Sequence, residues 1–209
     1  MVELNLFITF EGPDGSGKST QIKLLAEYLE ARRHTVVVTR EPGGTGIGEQ
    51  IRDVVLSTRN QGITPETEAL LFSAARAQIV RDIIQPALAA GKIVLCDRYA
   101  DSTMAYQGYG LGLDRAALVA ITRFATGGLV PHLTFYVDVP VEVGIARKQQ
   151  GETNRLDEKA IAYHERVRAG FLEMARGELS RWIIVDGTQS VERVQRNIRA
   201  RMLEVLDKL

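Results

Sequence analysis

The chain has 209 residues, 45% of them hydrophobic and 25% charged, which is the profile of an ordinary soluble globular protein. At roughly 150 residues per domain, this length predicts one domain spanning 1–209 that buries its own core. Lys plus Arg and Asp plus Glu both number 26, so the chain lacks the basic excess of a nonspecific nucleic-acid binder, and the single Cys96 excludes an internal disulfide.

Leu4 to Phe10, apolar and β-branched, is the first predicted strand, and it stops at Glu11-Gly12-Pro13. The segment Met1 to Asn5 ahead of it lacks the basic region and long apolar stretch of a secretory signal. No apolar run in the chain approaches the roughly 18 residues of a membrane span. The expected address is cytoplasmic, with no membrane partner. A glycine-rich stretch follows, and then Lys18 to Arg32 places Ile22, Leu25, Ala26 and Leu29 on one helical stripe. His34 to Thr39 is the second strand. Thr64-Pro65-Glu66-Thr67 combines a capping threonine, proline at the first helical position and early acid. The helix it opens runs toward Gln85, where Pro86 should kink or end it. Ile93 to Cys96, Leu133 to Val139 and Trp182 to Val185 complete five strands. Ser190 to Leu209 is a last amphipathic helix, with Val191, Val194, Ile198, Met202 and Val205 along one side. Near-continuous apolar strands alternating with helices predict an α/β fold, a doubly wound five-stranded parallel sheet flanked by helices with right-handed crossovers. Ligands in such folds bind beyond the carboxyl ends of the strands.

The glycine-rich stretch, Gly12-Pro13-Asp14-Gly15-Ser16-Gly17-Lys18-Ser19, fits G-x-x-x-x-G-K-[ST] between a strand and a helix. Its glycines let backbone N–H groups turn toward an anion, and the helix start adds its positive dipole end. Lys18 would reach the β- and γ-phosphates of ATP, while the Ser19 hydroxyl would ligate Mg²⁺, with Thr20 beside it in the same nucleotide site. None of the four asparagines precedes a lysine, so the Asn-Lys-x-Asp guanine signature of GTPases is absent, and there is no Leu-Ser-Gly-Gly-Gln transporter signature. Small-molecule kinases are the leading class at this length. Asp97-Arg98-Tyr99 closes the third strand, where an aspartate can hold Mg²⁺ through water and an arginine can grip a phosphate bidentately.

The whole chain resembles thymidylate kinases of the bacterial type, within the P-loop nucleoside monophosphate kinases. Phe10-Glu11-Gly12 leads into the loop as in that family. Thr39-Arg40-Glu41-Pro42-Gly43-Gly44-Thr45, Leu70 to Arg76, and Asp97-Arg98-Tyr99 followed by Ser102-Thr103 and Ala105-Tyr106-Gln107-Gly108 match its later blocks. The resemblance implies a P-loop kinase fold with a short mobile lid at about 147–157. It also implies transfer of the γ-phosphoryl group of ATP to the 5′-phosphate of dTMP, giving dTDP and ADP for dTTP synthesis, with Mg²⁺ as cofactor and a homodimer as the assembly. Carried over residue by residue, Phe72 would stack on thymine, Arg76 would hydrogen-bond its O4, and Ser102 and Gln107 would touch the base edge. Tyr106 would sit against C2′ of the sugar, Asp14 would approach the 3′-hydroxyl, and Arg98 would hold the acceptor phosphate with Arg52 as a second candidate. Phe72 and Tyr106 have a lesser alternative as core aromatics, and Ser102 reads equally as a helix cap.

Two polyanions must meet, so a chain of zero net charge needs local cations in a site that excludes water. Lys18 and Arg98 are two, and Asp97 is expected beside them. The family divides by the origin of a further catalytic arginine. Some members carry it inside the P-loop, where this chain has Gly15; bacterial-type members carry it in the lid, where Arg155 fits Gly-Glu-x-x-Arg. Arg147 opens the same segment and is a candidate ATP contact. Asp186-Gly187-Thr188-Gln189 resembles the adenine-side loop of the family and also reads as a turn that starts the last helix. Cys96, inside a strand, reads as packing, and His34, His132 and His164 lack metal-ligand spacing. The competing readings are a kinase for another pyrimidine monophosphate such as dUMP, and a nucleotide-binding regulator without turnover.

Overall fold

The computed structural model describes residues 4–148, 154–156 and 159–207. The expectations placed on Met1 to Glu3, on lid residues 149–153 and 157, and on the last two residues of the final helix lie outside the described residues. Five strands, β1 (Phe7–Glu11), β2 (Val36–Arg40), β3 (Ile93–Asp97), β4 (Leu133–Asp138) and β5 (Trp182–Asp186), form one sheet in the order β2-β3-β1-β4-β5. All four pairings are parallel. The helices are α1 (Lys18–Ala31), α2 (Gly46–Leu56), α3 (Pro65–Ile79), α4 (Gln85–Ala89), α5 (Ala100–Thr103), α6 (Arg115–Thr126), α7 (Val141–Lys148), α8 (Ile161–Gly177) and α9 (Val191–Leu206), with π-helical turns at Val80–Ile84 and Met104–Gly110. Among the described residues, no helix is long and apolar enough to cross a membrane.

Strand alternation divides the core. Ile8 and Phe10 of β1 join Phe135 and Val137 of β4 under α1 and α9, which contribute Ile22, Leu25, Leu29, Val194, Ile198 and Met202. These belong to the apolar stripes read from the two helices, except that Val191 of α9 is exposed. On the opposite face Phe7, Val94 and Cys96 pack against Ile79, Val80, Ile84 and Ala87. Beside them Tyr136 and Trp182 meet Tyr163, Val167 and Phe171 of α8. Each fully buried large side chain contributes about 1.5–3 kcal/mol, so both faces need their helices.

The Thr64 hydroxyl accepts the Thr67 N–H at 3.3 Å, and Pro65 occupies the first turn of α3 as its sequence predicts. Pro86 does not end the rod, which continues to Ala89. The helix widens just ahead of it, with the Gln85 N–H bonding the Val80 carbonyl five residues back. That π turn moves the carbonyls out of reach of the proline ring, which has no N–H to offer them. Strand β1 sits at the centre, so its carboxyl end meets those of β3 and β4 at one edge, where the functional residues gather.

Candidate active site

Glu11 ends β1 fully buried, and the chain turns at Gly12, Gly15 and Gly17 with φ of 143°, 75° and 95°. Such angles strain any side-chain-bearing residue. Lys18 Nζ folds back to donate to the carbonyls of Gly12 and Pro13, each at 3.0 Å. Burial, reinforced by Arg98, lowers its ammonium to about 8. The next residue, Ser19, donates its hydroxyl to Asp97 Oδ2 at 2.7 Å, joining the loop to the end of β3. A Cβ at Gly15 would run into the Gly144 carbonyl of α7, so this backbone leaves no room for a side chain there.

Arg98 has a left-handed backbone, φ 68°. Neighbouring bonds hold that strain: its N–H reaches the Phe10 carbonyl at 2.9 Å, and the Tyr99 N–H reaches Glu11 Oε1 at 2.8 Å. The side chain is thereby turned back across β1. Its Nη2 donates to Asp14 Oδ1 at 2.6 Å and its Nη1 to the Ser102 hydroxyl at 3.2 Å, and the guanidinium lies 5.0 Å from the centre of the Tyr106 ring. Burial alone would raise the Asp14 carboxyl, but Arg98, Lys18 and Lys148 outweigh it and hold the group well below the usual carboxylate range. Glu11 goes the other way. Burial, with Asp101 nearby, pushes it up to about 8, although Arg98 and the Ser102 hydroxyl oppose the shift. Ser102 donates that hydroxyl to Glu11 Oε2 at 2.6 Å, and α5 has no side-chain cap, so the capping reading of Ser102 does not hold.

Phe72, Arg76, Tyr106 and Gln107 line one cavity, together with Arg52, Ser102 and Arg98. Arg76 is clamped there. Its Nε donates to Glu41 Oε2 at 2.8 Å, Nη1 to Thr103 Oγ1 at 3.0 Å and Nη2 to the Tyr99 carbonyl at 3.1 Å. Glu41, buried and raised to about 7 by that burial against the pull of Arg76, has its Oε1 unpartnered among the described residues. Arg52 donates to the Pro42 carbonyl at 2.9 Å. A second cavity, over the loop, is lined by Gly15, Gly17, Lys18, Ser19, Thr20 and Asp97. Asp14, Glu41, Arg52, Arg98 and Lys148 belong to both walls, so the two cavities form one crevice. Lys18 and Arg98 therefore line one crevice.

The structure places Arg155, the expected lid arginine, away from the phosphate loop. It is buried, 3% exposed, and lines neither cavity. Its Nη2 pairs with Glu68 Oε2, and Nε and Nη2 both donate to the Val55 carbonyl at 3.1 Å. A buried guanidinium needs a carboxylate and carbonyls, and α3 and α2 supply them. Arg147 instead lies over the loop, donating to the Gly187 carbonyl at 3.0 Å. Thr188 and Gln189 fold onto Asp186, and Ser190 caps α9, so a turn followed by a helix start describes that segment. Cys96 donates its thiol to the Arg98 carbonyl at 3.0 Å within the core, and His132 accepts the Phe7 N–H at 2.9 Å. Sequence reasoning missed Glu11, Glu41, Glu68 and Lys148. Glu68 had a signal, since 68, 72 and 76 share one face of α3.

The thymidylate kinase family model matches residues 10–198. A thymidylate kinase of Roseiflexus castenholzii is 53% identical, over 94% of this chain and 92% of its own. That of Geotalea uraniireducens is 48% identical, over 96% and 97%. The crystal structure of thymidylate kinase from Ehrlichia chaffeensis superposes with a TM-score of 0.79 at 35% identity, covering 94% of this chain and 98% of that one. With the family model spanning most of the sequence and relatives near half identity from end to end, this chain belongs to the thymidylate kinase family.

Proposed function

We propose that the chain is a single-domain enzyme that moves the γ-phosphoryl group of ATP to the 5′-phosphate of dTMP, yielding dTDP and ADP. One observation carries this reading: Arg98 stands on the wall common to both cavities, with Lys18 in one and Phe72, Arg76 and Gln107 in the other. Phosphoryl transfer needs no nucleophilic side chain, because the acceptor phosphate oxygen attacks in line and the protein supplies positioning and charge. Arg98 orients the acceptor phosphate, with Arg52 beside it. The loop from Gly12 to Thr20 takes the ATP phosphates through its N–H groups, and Lys18 swings from its carbonyl partners to the polyphosphate, whose charge restores the ammonium to its ordinary range. Arg147 lies on the nucleotide side of the loop. Phe72 and Tyr106 flank base and sugar, Arg76 and Gln107 meet the base edge, Ser102 steadies Arg98, and Asp14 lies toward the sugar. Arg155 acts through its pairing with Glu68 rather than on the phosphates.

The Ser19–Asp97 pair offers two hard oxygen atoms at the mouth of the loop, the donor chemistry that Mg²⁺ takes while keeping several waters. Bound there, the ion would neutralise charge on the β- and γ-phosphates. Ser19 would hold it directly and Asp97 through water. Exposed Val54, Leu70, Val119 and Phe124, the last 92% exposed, lie on α2, α3 and α6 and support a homodimer formed across those helices. The proposed compartment is the cytoplasm.

Release of ADP from Mg·ATP mixed with dTMP, dUMP or UMP tests the reading. Turnover should be fastest with dTMP. Equal rates with dUMP, or none with any monophosphate, would replace it with one of the competing readings.

A further inference from the structure

We propose that Glu68 is a positioning residue that sets which pyrimidine the site accepts, by holding the carboxamide of Gln107 with its carbonyl oxygen toward the acceptor cavity. The inference rests on reading that cavity as the site of a pyrimidine monophosphate. Gln107 Nε2 donates to Glu68 Oε1 at 2.8 Å, and both residues are buried. A carboxylate can only accept, so it selects the NH₂ end of the amide and leaves Oε1 of Gln107, a residue of the cavity lining, as the atom available to a ligand. The other carboxylate oxygen of Glu68 takes Arg155, which balances the buried charge without competing for Oε1 of Glu68. Arg155 is itself held at the Val55 carbonyl, and its own N–H bonds the Leu56 carbonyl at 3.2 Å, so the chain Gln107–Glu68–Arg155 is anchored on α2.

The pattern offered to a base is then a fixed acceptor at Gln107 and donors at Arg76. Thymine presents N3–H and O4, which match. Cytosine presents N3 without hydrogen and a 4-amino group, which place acceptor against acceptor and donor against donor. Sites built on hydrogen bonds discriminate steeply because a mismatch leaves buried groups unpaired. Free rotation of the amide would relax half of that code.

The test compares kcat/KM for dTMP and dCMP in the wild-type protein and in Glu68→Gln, whose neutral amide can donate as well as accept. The expected result is a fall of about tenfold or more in the dTMP-to-dCMP ratio. It should arise mainly in KM, with kcat at saturating dTMP changed less than about threefold. In a Gln107→Ala background the same change should leave the ratio unaltered, because Glu68 acts through Gln107. An unchanged ratio in E68Q, or an effect that persists fully in Q107A, overturns the proposal. If E68Q does not fold by circular dichroism, the cycle is run with Glu68→Asp, and additivity with Q107A overturns the proposal in the same way. Failure of the wild-type protein to phosphorylate dTMP would instead sink the functional reading beneath it.

Discussion

Replacing Arg155 by alanine separates a packed arginine from one that visits the phosphates. The side chain is 3% exposed, pairs with Glu68 and donates twice to the Val55 carbonyl. Truncation leaves the Glu68 carboxylate, 1% exposed, with the Gln107 amide as its remaining partner among the described residues. Removing one member of a buried ion pair destabilises by about 3–5 kcal/mol, because the remaining charge stays out of water. For a chain of 209 residues, at about 2–4 °C per kcal/mol, the melting temperature should fall by about 6–20 °C. Scanning calorimetry reads that shift. Turnover measured well below the melting range should show a raised KM for dTMP and a kcat within about threefold of wild type. An unshifted melting temperature with a hundredfold loss of kcat would refute the reasoning and return Arg155 to the transferred phosphate.

Three further outcomes follow from the same geometry. Burial raises the Glu41 carboxyl from 4.5 to about 7, so the folded protein holds this proton more tightly than the unfolded chain, and the stability so gained is lost as pH rises from about 4.5 through about 7; urea titrations across that window should show a shallower decline in Glu41→Gln, and an equal slope would count against it. Gly15→Ala forces a side chain onto a φ of 75° and against the Gly144 carbonyl, so stability should drop by about 1–3 kcal/mol and turnover should fall with it, both measurable by thermal melts and ADP release. Arg147→Ala, which loses the bond to Gly187, should raise KM for ATP several-fold while leaving KM for dTMP in place, as initial-rate kinetics will show.

The loop from Gly12 to Ser19 was legible because the chemistry resides in consecutive residues, and the backbone that makes a phosphate cradle demands glycine at fixed intervals. Asp97 and Arg98 were legible from their place at a strand end. The stripes of α1 and α9 were plain because each faces a single core. Helices α2, α6 and α8 were not read, although Tyr163, Val167, Phe171 and Ala175 repeat every four residues along α8. Pro86 marked a break in regular α-helix, but whether it ended the helix or only altered its winding depended on the π turn ahead of it.

By itself the sequence determined that this is a parallel α/β chain with a phosphate loop and an arginine placed to face it. Those properties follow from periodicity and from neighbours in the chain, where residue spacing dictates geometry. Tertiary structure alone decided which charges are paired. Glu41 turns to Arg76 and Glu68 to Arg155, while Glu11 takes the neutral donors of Tyr99 and Ser102. A buried ion takes whichever opposite charge the fold carries to it, often from dozens of residues away. Arg155 thus has the spacing of a lid arginine, and its position was set by a carboxylate 87 residues earlier.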